Sequence, residues 1–110
     1  MMKTMYSKHY RKYRKKREKF IKKYINGDGH MIDGFVIDRQ HKDGLEVHSI
    51  TDTGLILIHN YKTGKLCTKL IAKPSQIERY YRMTGREPPP EYNNILTLAK
   101  WHEDLFYNLI

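Results

Sequence analysis

The first 25 residues repeat aromatic and cationic positions with the period of an α-helix. Lys, Arg and Glu favour helices, no Gly or Pro interrupts residues 4–25, and Asn26-Gly27 ends the segment. Aromatic residues recur at steps of three and four, with Arg17 in the one remaining position of the stripe: Tyr6, Tyr10, Tyr13, Phe20 and Tyr24. This pattern predicts a helix with a narrow aromatic seam, which either packs on the rest of the domain or stacks on nucleic-acid bases.

Four short runs rich in β-branched residues follow, separated by turn-forming residues. The runs cover residues 34–38, 45–51, 54–60 and 65–72. Turns are expected at Asp43-Gly44, at Asp52-Thr53 and over residues 61–64. The pattern predicts consecutive antiparallel hairpins across residues 34–72.

A two-residue loop at Asp52-Thr53 would set the register of the second and third strands. It pairs Glu46 with His59 and His48 with Leu57, so these side chains are expected to share one face. The opposite face is expected to hold Val47, Ser49, Ile56 and Ile58.

The C-terminal third reads as two helices. A capping-box pattern, Ser75 to Glu78, opens a helix over residues 75–85 that Gly85 closes, and residues 88–90 form a stiff Pro link. The last helix, residues 91–109, carries its apolar stripe at Ile95, Leu98, His102, Leu105 and Leu109. That stripe either closes the core of its own chain or docks onto a second copy in a homodimer.

Together these elements predict one α+β domain spanning residues 1–110. It has a basic N-terminal helix (1–26), a four-stranded antiparallel sheet (34–72) and two C-terminal helices (75–85 and 91–109). A chain of 110 residues supports one core but not two.

Charge changes the picture, because the formal net charge of +9 is concentrated on the first helix. Eleven of the 21 Lys and Arg residues lie within residues 1–25, where Glu18 is the only acid. The positions expected to contact phosphates are Lys8, Arg11, Lys12, Arg14, Lys15, Lys16, Arg17, Lys19, Lys22 and Lys23. Such a local field recruits polyanions, so the expected partner is nucleic acid, RNA above all, or a host nucleoprotein.

Several classes of protein are excluded by composition. The single cysteine, Cys67, allows neither an internal disulfide nor a Cys-rich zinc module, and no two histidines have the i, i+4 spacing of a helical zinc site. We therefore expect no metal and no cofactor. No apolar run approaches the roughly 20 residues of a membrane span and no secretory signal is present, which predicts a cytoplasmic protein without a membrane partner.

Candidate chemistry lies at the polar end of one sheet face. Glu46 opposite His59, with His48 alongside, would supply a proton acceptor and a proton donor for metal-free RNA cleavage. The alternative is that the pair is a stabilising cross-strand contact worth about 0.2–1 kcal/mol.

The order of basic helix, "NGDG" turn and the strands "EVHSIT", "GLILIHN" and "TGKLCTKLIA" resembles the barnase–EndoU–colicin–RelE group of small RNA-cleaving domains. The resemblance covers residues 1–82. It implies an N-terminal helix packed on an antiparallel sheet and puts forward Glu46, His48 and His59 as catalytic candidates.

The richness in Tyr, Lys, Ile and Asn also resembles small phage-encoded proteins of low-GC bacteria, many of which inhibit host nucleoproteins such as CRISPR nucleases. Two functions are therefore expected as alternatives. One is a non-enzymatic nucleic-acid binder or inhibitor such as an anti-CRISPR. The other is a metal-independent endoribonuclease toxin.

Overall fold

Three helices and one four-stranded sheet form the fold in the computed structural model, which describes residues 2–39 and 44–109. The elements are α1 (Met2–Tyr24), β1 (Met31–Arg39), β2 (Gly44–Thr51), β3 (Leu55–Asn60), β4 (Leu66–Ile71), α2 (Pro74–Thr84) and α3 (Tyr92–Leu109). The predicted α+β class and the order of elements are confirmed. Most boundaries agree to within two residues, and the turn predicted at Asp43 lies outside the described residues.

β1 begins earlier than predicted, at Met31, because tertiary contacts hold Asp33, a residue type that is disfavoured in strands, within it. Asp33 accepts hydrogen bonds from the Tyr81 hydroxyl (2.9 Å) and pairs with Arg86 (3.1 Å). The Arg86 guanidinium also donates to the Gly34 carbonyl at 2.6 Å. These contacts attach the first strand to the C-terminal end of α2.

α2 begins one residue earlier than predicted, and its capping box lies two residues earlier, at Lys73 and Gln76 instead of Ser75 and Glu78. Lys73 is the N-cap and Pro74 the first helical residue. The Gln76 side chain, rather than that of Glu78, accepts the Lys73 backbone N–H at 2.9 Å. Gly85 closes the helix in a left-handed conformation, as predicted.

The sheet has the order β1-β2-β3-β4 with antiparallel neighbours, as consecutive hairpins require. The predicted register of β2 and β3 is wrong by one residue. Glu46 lies opposite Asn60, and Val47 lies opposite His59. Because successive side chains of a strand alternate between faces, Glu46 and His59 belong to opposite faces of the sheet.

The reason for this shift is a three-residue loop, residues 52–54, in place of the two-residue loop. Gly54 takes a left-handed conformation (φ +86°), and its N–H donates to the Thr51 carbonyl at 3.1 Å. A type I turn followed by a left-handed glycine is the usual three-residue hairpin connection. Gly54 therefore belongs to the turn and β3 begins at Leu55.

Both faces of the sheet are covered by helix. α2 and the first half of α3 pack on one face, in a core of Phe35, Ile50, Ile56, Ile58, Ala72, Ile77, Tyr81, Ile95 and Ala99. α1 packs on the other face, in a second core of Phe20, Ile25, Leu55, Ile71 and Phe106. Ile56 and Ile58 are core residues as expected, but they share their face with His48 rather than with Val47 and Ser49.

α3 closes the core of its own chain. Its buried side chains are Ile95, Ala99, His102 and Phe106, while Leu98 and Leu105 are half-buried and the Leu109 side chain lies outside the described residues. The buried stripe is therefore turned slightly from the predicted one. Homodimerisation through this helix stays a prediction. No helix in the described part of the chain combines the length and apolarity needed to cross a membrane.

α3 packs closely against the β2–β3 turn, where His102 contacts Gly54. The His102 side chain is buried, and its Nδ1 has no hydrogen-bond partner among the described residues. Burial lowers the pKa of His102, which favours the neutral imidazole. A Cβ at Gly54 would lie 2.9 Å from His102 Nδ1, a distance that this packing does not allow.

Gly54→Ala should therefore destabilise the protein more than Gly64→Ala. Both glycines have a positive φ in a hairpin turn, but a Cβ at Gly64 would meet nothing within 4 Å. We expect about 1–2 kcal/mol for the left-handed conformation in each variant and about 1–3 kcal/mol more for overpacking at Gly54. Urea unfolding of the two variants measures the difference. Equal free energies of unfolding would contradict the close approach of α3 to this turn.

Candidate nucleic-acid interface

The solvent side of α1 presents a row of exposed lysines, here termed the lysine face. It consists of Lys12, Lys15, Lys16, Lys19, Lys22 and Lys23. At 3.6 residues per turn these six positions fall within an arc of about 120°, on the side of the helix opposite Arg17 and Ile21. Of the other predicted phosphate contacts, Arg14 is exposed and Arg17 is buried, while the Lys8 and Arg11 side chains lie outside the described residues.

The aromatic seam fixes the orientation of the lysine face. The Phe20 ring packs on Phe106 at 5.2 Å and on His102 at 5.8 Å between ring centroids. The Tyr13 ring meets Phe106 edge-on at 5.8 Å, and its hydroxyl lies 3.4 Å from that of Tyr107. From Tyr13 onward the seam therefore packs on the domain and is not available to stack on bases. The Tyr6 and Tyr10 side chains lie outside the described residues.

The lysine face is not neutralised by the chain itself. Glu18 is the only acid in α1, and it pairs with Arg14 at 3.2 Å. In the described part of the chain, no carboxylate pairs with any of the six lysines. Like charges three or four residues apart repel by about 0.2–0.5 kcal/mol per pair, so this helix gains stability when an anion binds it.

A groove of about 600 Å³ separates α1 from the edge strand β4. Its walls are α1 between Arg14 and Ile25, the loop at residues 26–28, and β4 between Leu66 and Lys69. Lys69 closes one end by pairing with Asp28 at 2.8 Å. The groove adjoins the lysine face at Lys22.

Arg17 lies at the base of this groove, within the aromatic seam. Its side chain has 7% relative exposure, and its Nη2 donates to the Thr68 hydroxyl at 3.3 Å. The guanidinium carbon is 5.9 Å from the centroid of the Tyr13 ring. No carboxylate pairs with Arg17 in the part of the chain that the structure describes.

The predicted catalytic residues are only partly brought together. Glu46 Oε1 lies 3.0 Å from His48 Nε2 on the face covered by α2, whereas His59 is half-buried on the opposite face. The predicted Glu46–His59 pair is therefore wrong, because the three-residue turn shifts β3 by one position.

His48 instead connects Glu46 to a tyrosine of α2. His48 Nδ1 and the Tyr80 hydroxyl are 2.6 Å apart. With Nε2–H donating to the carboxylate, Nδ1 is the acceptor for the tyrosine O–H. Burial raises the pKa of Tyr80 to about 12, so its hydroxyl keeps its proton at neutral pH.

Tyr80 was missed by sequence reasoning because the helix that carries it follows the sheet in the chain and returns to His48 only through tertiary packing. Its ring stacks on Phe35 of β1 with centroids 4.9 Å apart. The adjoining pocket, of about 310 Å³, is lined by Arg39, Arg79 and Met83 as well as by His48 and Tyr80. Arg39 also reaches Glu46 at 3.4 Å.

A metal centre finds no support in this arrangement. Within residues 2–39 and 44–109, no group of three or more His, Cys, Asp or Glu side chains could hold a metal ion. The interface therefore offers cations and hydrogen-bond donors, and its natural ligands are anions.

Comparison with known proteins adds no relative: no family model matches this chain, and no curated protein or solved structure matches it. The resemblance to the barnase–EndoU–colicin–RelE group stays a prediction. The function has to follow from the site geometry.

Proposed function

We propose that this protein binds nucleic acid, RNA above all, through the lysine face of α1, acts in the cytoplasm and performs no chemistry on its ligand. The observation that carries this proposal is the set of six exposed lysines without carboxylate partners among the described residues. An unneutralised cationic row is electrostatically unfavourable in the free protein and favourable beside a polyanion.

The dimensions of the lysine face suit a nucleic-acid backbone. From Lys12 to Lys23 the helix rises by about 16 Å. Duplex DNA carries one phosphate per about 1.7 Å of axis when both strands are counted, so several phosphates lie within reach of the row. Lysines bind phosphate as point charges, and contacts to phosphate carry no sequence information directly, which supports binding that tolerates many sequences.

An inhibitory role is the biological form of this function that we favour. A basic helix bound to the RNA of a host nucleoprotein, such as a CRISPR nuclease, would compete with the intended target. Support comes from the concentration of charge and from the resemblance to small phage proteins.

Neutralising three lysines together, as Lys15→Gln, Lys16→Gln and Lys19→Gln, should weaken RNA binding for all sequences. Each lost phosphate contact should make the dependence of log K on log salt shallower by about 0.7–0.9, because fewer counterions are released. Fluorescence anisotropy of labelled RNA, titrated at several salt concentrations, gives both quantities.

The matched control removes three exposed cations elsewhere, as Lys62→Gln, Lys65→Gln and Arg82→Gln. It has the same net charge as the first variant and leaves α1 intact. We expect it to retain the wild-type salt slope. Equal slopes in the two triple variants would contradict binding along the lysine face.

A second candidate function, metal-independent RNA cleavage, is favoured by the Glu46–His48–Tyr80 hydrogen-bond chain beside Arg39 and Arg79. A tyrosine hydroxyl could protonate a leaving 5′-oxygen, and the arginines could stabilise the phosphorane. We place it second because this pocket is built by β1, β2 and α2, whereas α1 lies along β4, at the other edge of the sheet. The lysine face and the His48 pocket therefore lie on different surfaces, and RNA bound to the first does not lie beside the second.

Incubating the wild-type protein with labelled RNA and EDTA separates the two candidates. We expect RNA that is bound but uncut after hours. If cleavage occurs, His48→Gln and Tyr80→Phe should each slow it by about 10²–10⁴ with little effect on binding, and His59→Gln should leave it unchanged. Cleavage with that pattern would contradict our ranking.

A further inference from the structure

We propose that the groove between α1 and β4 is a phosphate-binding subsite in which Arg17 is the anchoring group. The inference deepens the proposed function and rests on it, since the phosphate belongs to the nucleic-acid strand held along the lysine face. The occupant is a phosphodiester or a terminal phosphate of that strand.

The first reason is that Arg17 is a buried cation without a counter-ion. Among the described residues it is the only Lys, Arg, Asp or Glu that is buried. Removing a charge from water is costly unless an opposite charge compensates it, and such cations are normally paired. The nearest described partners are the neutral Thr68 hydroxyl and the Tyr13 ring.

The second reason is the unused hydrogen-bonding capacity of the guanidinium. It carries five N–H donors, and one of them is directed to Thr68 at 3.3 Å. That bond fixes the plane of the group beside the groove. A guanidinium held in one plane is suited to bidentate contact with phosphate oxygens.

The third reason is the distribution of charge around the groove. Its four cations are Arg14, Arg17, Lys22 and Lys69, and its two acids are Glu18 and Asp28. Glu18 pairs with Arg14 and Asp28 pairs with Lys69. Two groove cations, Arg17 at the base and Lys22 at the rim, therefore have no carboxylate partner among the described residues. Their charge suits one phosphate group that enters from the lysine face.

The competing explanation is that Arg17 only fills space in the seam with its aliphatic stem. Arg17→Met separates the two, because methionine retains an unbranched apolar side chain and removes the charge. If Arg17 is a phosphate anchor, the Met variant should be at least as stable as the wild type without ligand and should be stabilised less by phosphate, through the lysine face alone.

The experiment is thermal unfolding with and without inorganic phosphate at constant ionic strength, for the wild type, Arg17→Met and the control Arg82→Met. We expect phosphate to raise the melting temperature of the wild type and the control equally and that of Arg17→Met by clearly less. RNA affinity should fall about 10- to 100-fold in Arg17→Met, the range for loss of hydrogen bonds to a charged group, and should be unchanged in the control.

Two results would overturn the subsite: no response of the wild type to phosphate, or an equal response in Arg17→Met. If Arg17→Met does not fold, Arg17→Lys replaces it. The lysine keeps the charge but loses the bidentate geometry, and a phosphate response as strong as that of the wild type would equally overturn the proposal.

The source of the phosphate is distinguished with RNAs that carry either a 5′-phosphate or a 5′-hydroxyl. A preference for the 5′-phosphate that Arg17→Met abolishes assigns the groove to a terminal phosphate. An equal loss of affinity for both RNAs assigns it to the internal backbone.

Failure of the subsite is distinguishable from failure of the proposed function. A wild-type protein that responds to phosphate but does not bind RNA would contradict the function and leave the anion site. RNA binding that depends on Lys15, Lys16 and Lys19 but not on Arg17 would support the proposed function and contradict the subsite.

Discussion

The contact of Phe20 with His102 and Phe106 is the interaction on which the arrangement of this molecule depends. Through it α1, whose solvent side is cationic, attaches to α3 and to the sheet, and the attachment is apolar and aromatic. The same His102 approaches the β2–β3 turn, where Gly54 leaves room for the imidazole. One junction therefore joins the basic helix, the C-terminal helix and the hairpin turn that sets the register of the sheet.

The sheet separates two kinds of polar site. On the side of β4, the lysine face and Arg17 carry positive charge that no carboxylate of the described chain neutralises. On the side of β1 and β2, Glu46, His48 and Tyr80 satisfy one another within hydrogen-bonding distance. An unpaired charge favours binding of a ligand that neutralises it. A hydrogen-bonded network needs no ligand to explain it, because it also satisfies the polar side chains at the edge of the core. This contrast is the physical basis for ranking binding above catalysis.

Elements governed by local rules were predictable from sequence, and those governed by turn geometry or tertiary contact were not. The extent of α1 and the stop at Gly85 follow from propensity and capping. The β2–β3 register depended on whether Gly54 belongs to the turn or to the strand, and a difference of one residue moved His59 to the other face. Tyr80 reaches His48 from an element 32 residues away, a separation at which no sequence pattern signals contact.

Arg17 shows both what the sequence pattern predicts and what it does not. The three-and-four spacing of the aromatic stripe identified its position in the seam, and its side chain is indeed buried. Its place among the predicted phosphate contacts stays a prediction. The surroundings of its guanidinium were not predictable, because helical periodicity places a side chain on a face without saying what the opposing strand offers. Thr68 and the groove along β4 emerge only when the sheet is assembled.

The measurement that tests the central claim most directly is backbone amide NMR of the protein titrated with a short RNA. We expect chemical-shift changes along residues 12–28 and 66–69, with residues 37–39, His48 and Tyr80 unperturbed. Perturbation centred on His48 and Tyr80, with α1 unchanged, would contradict that claim.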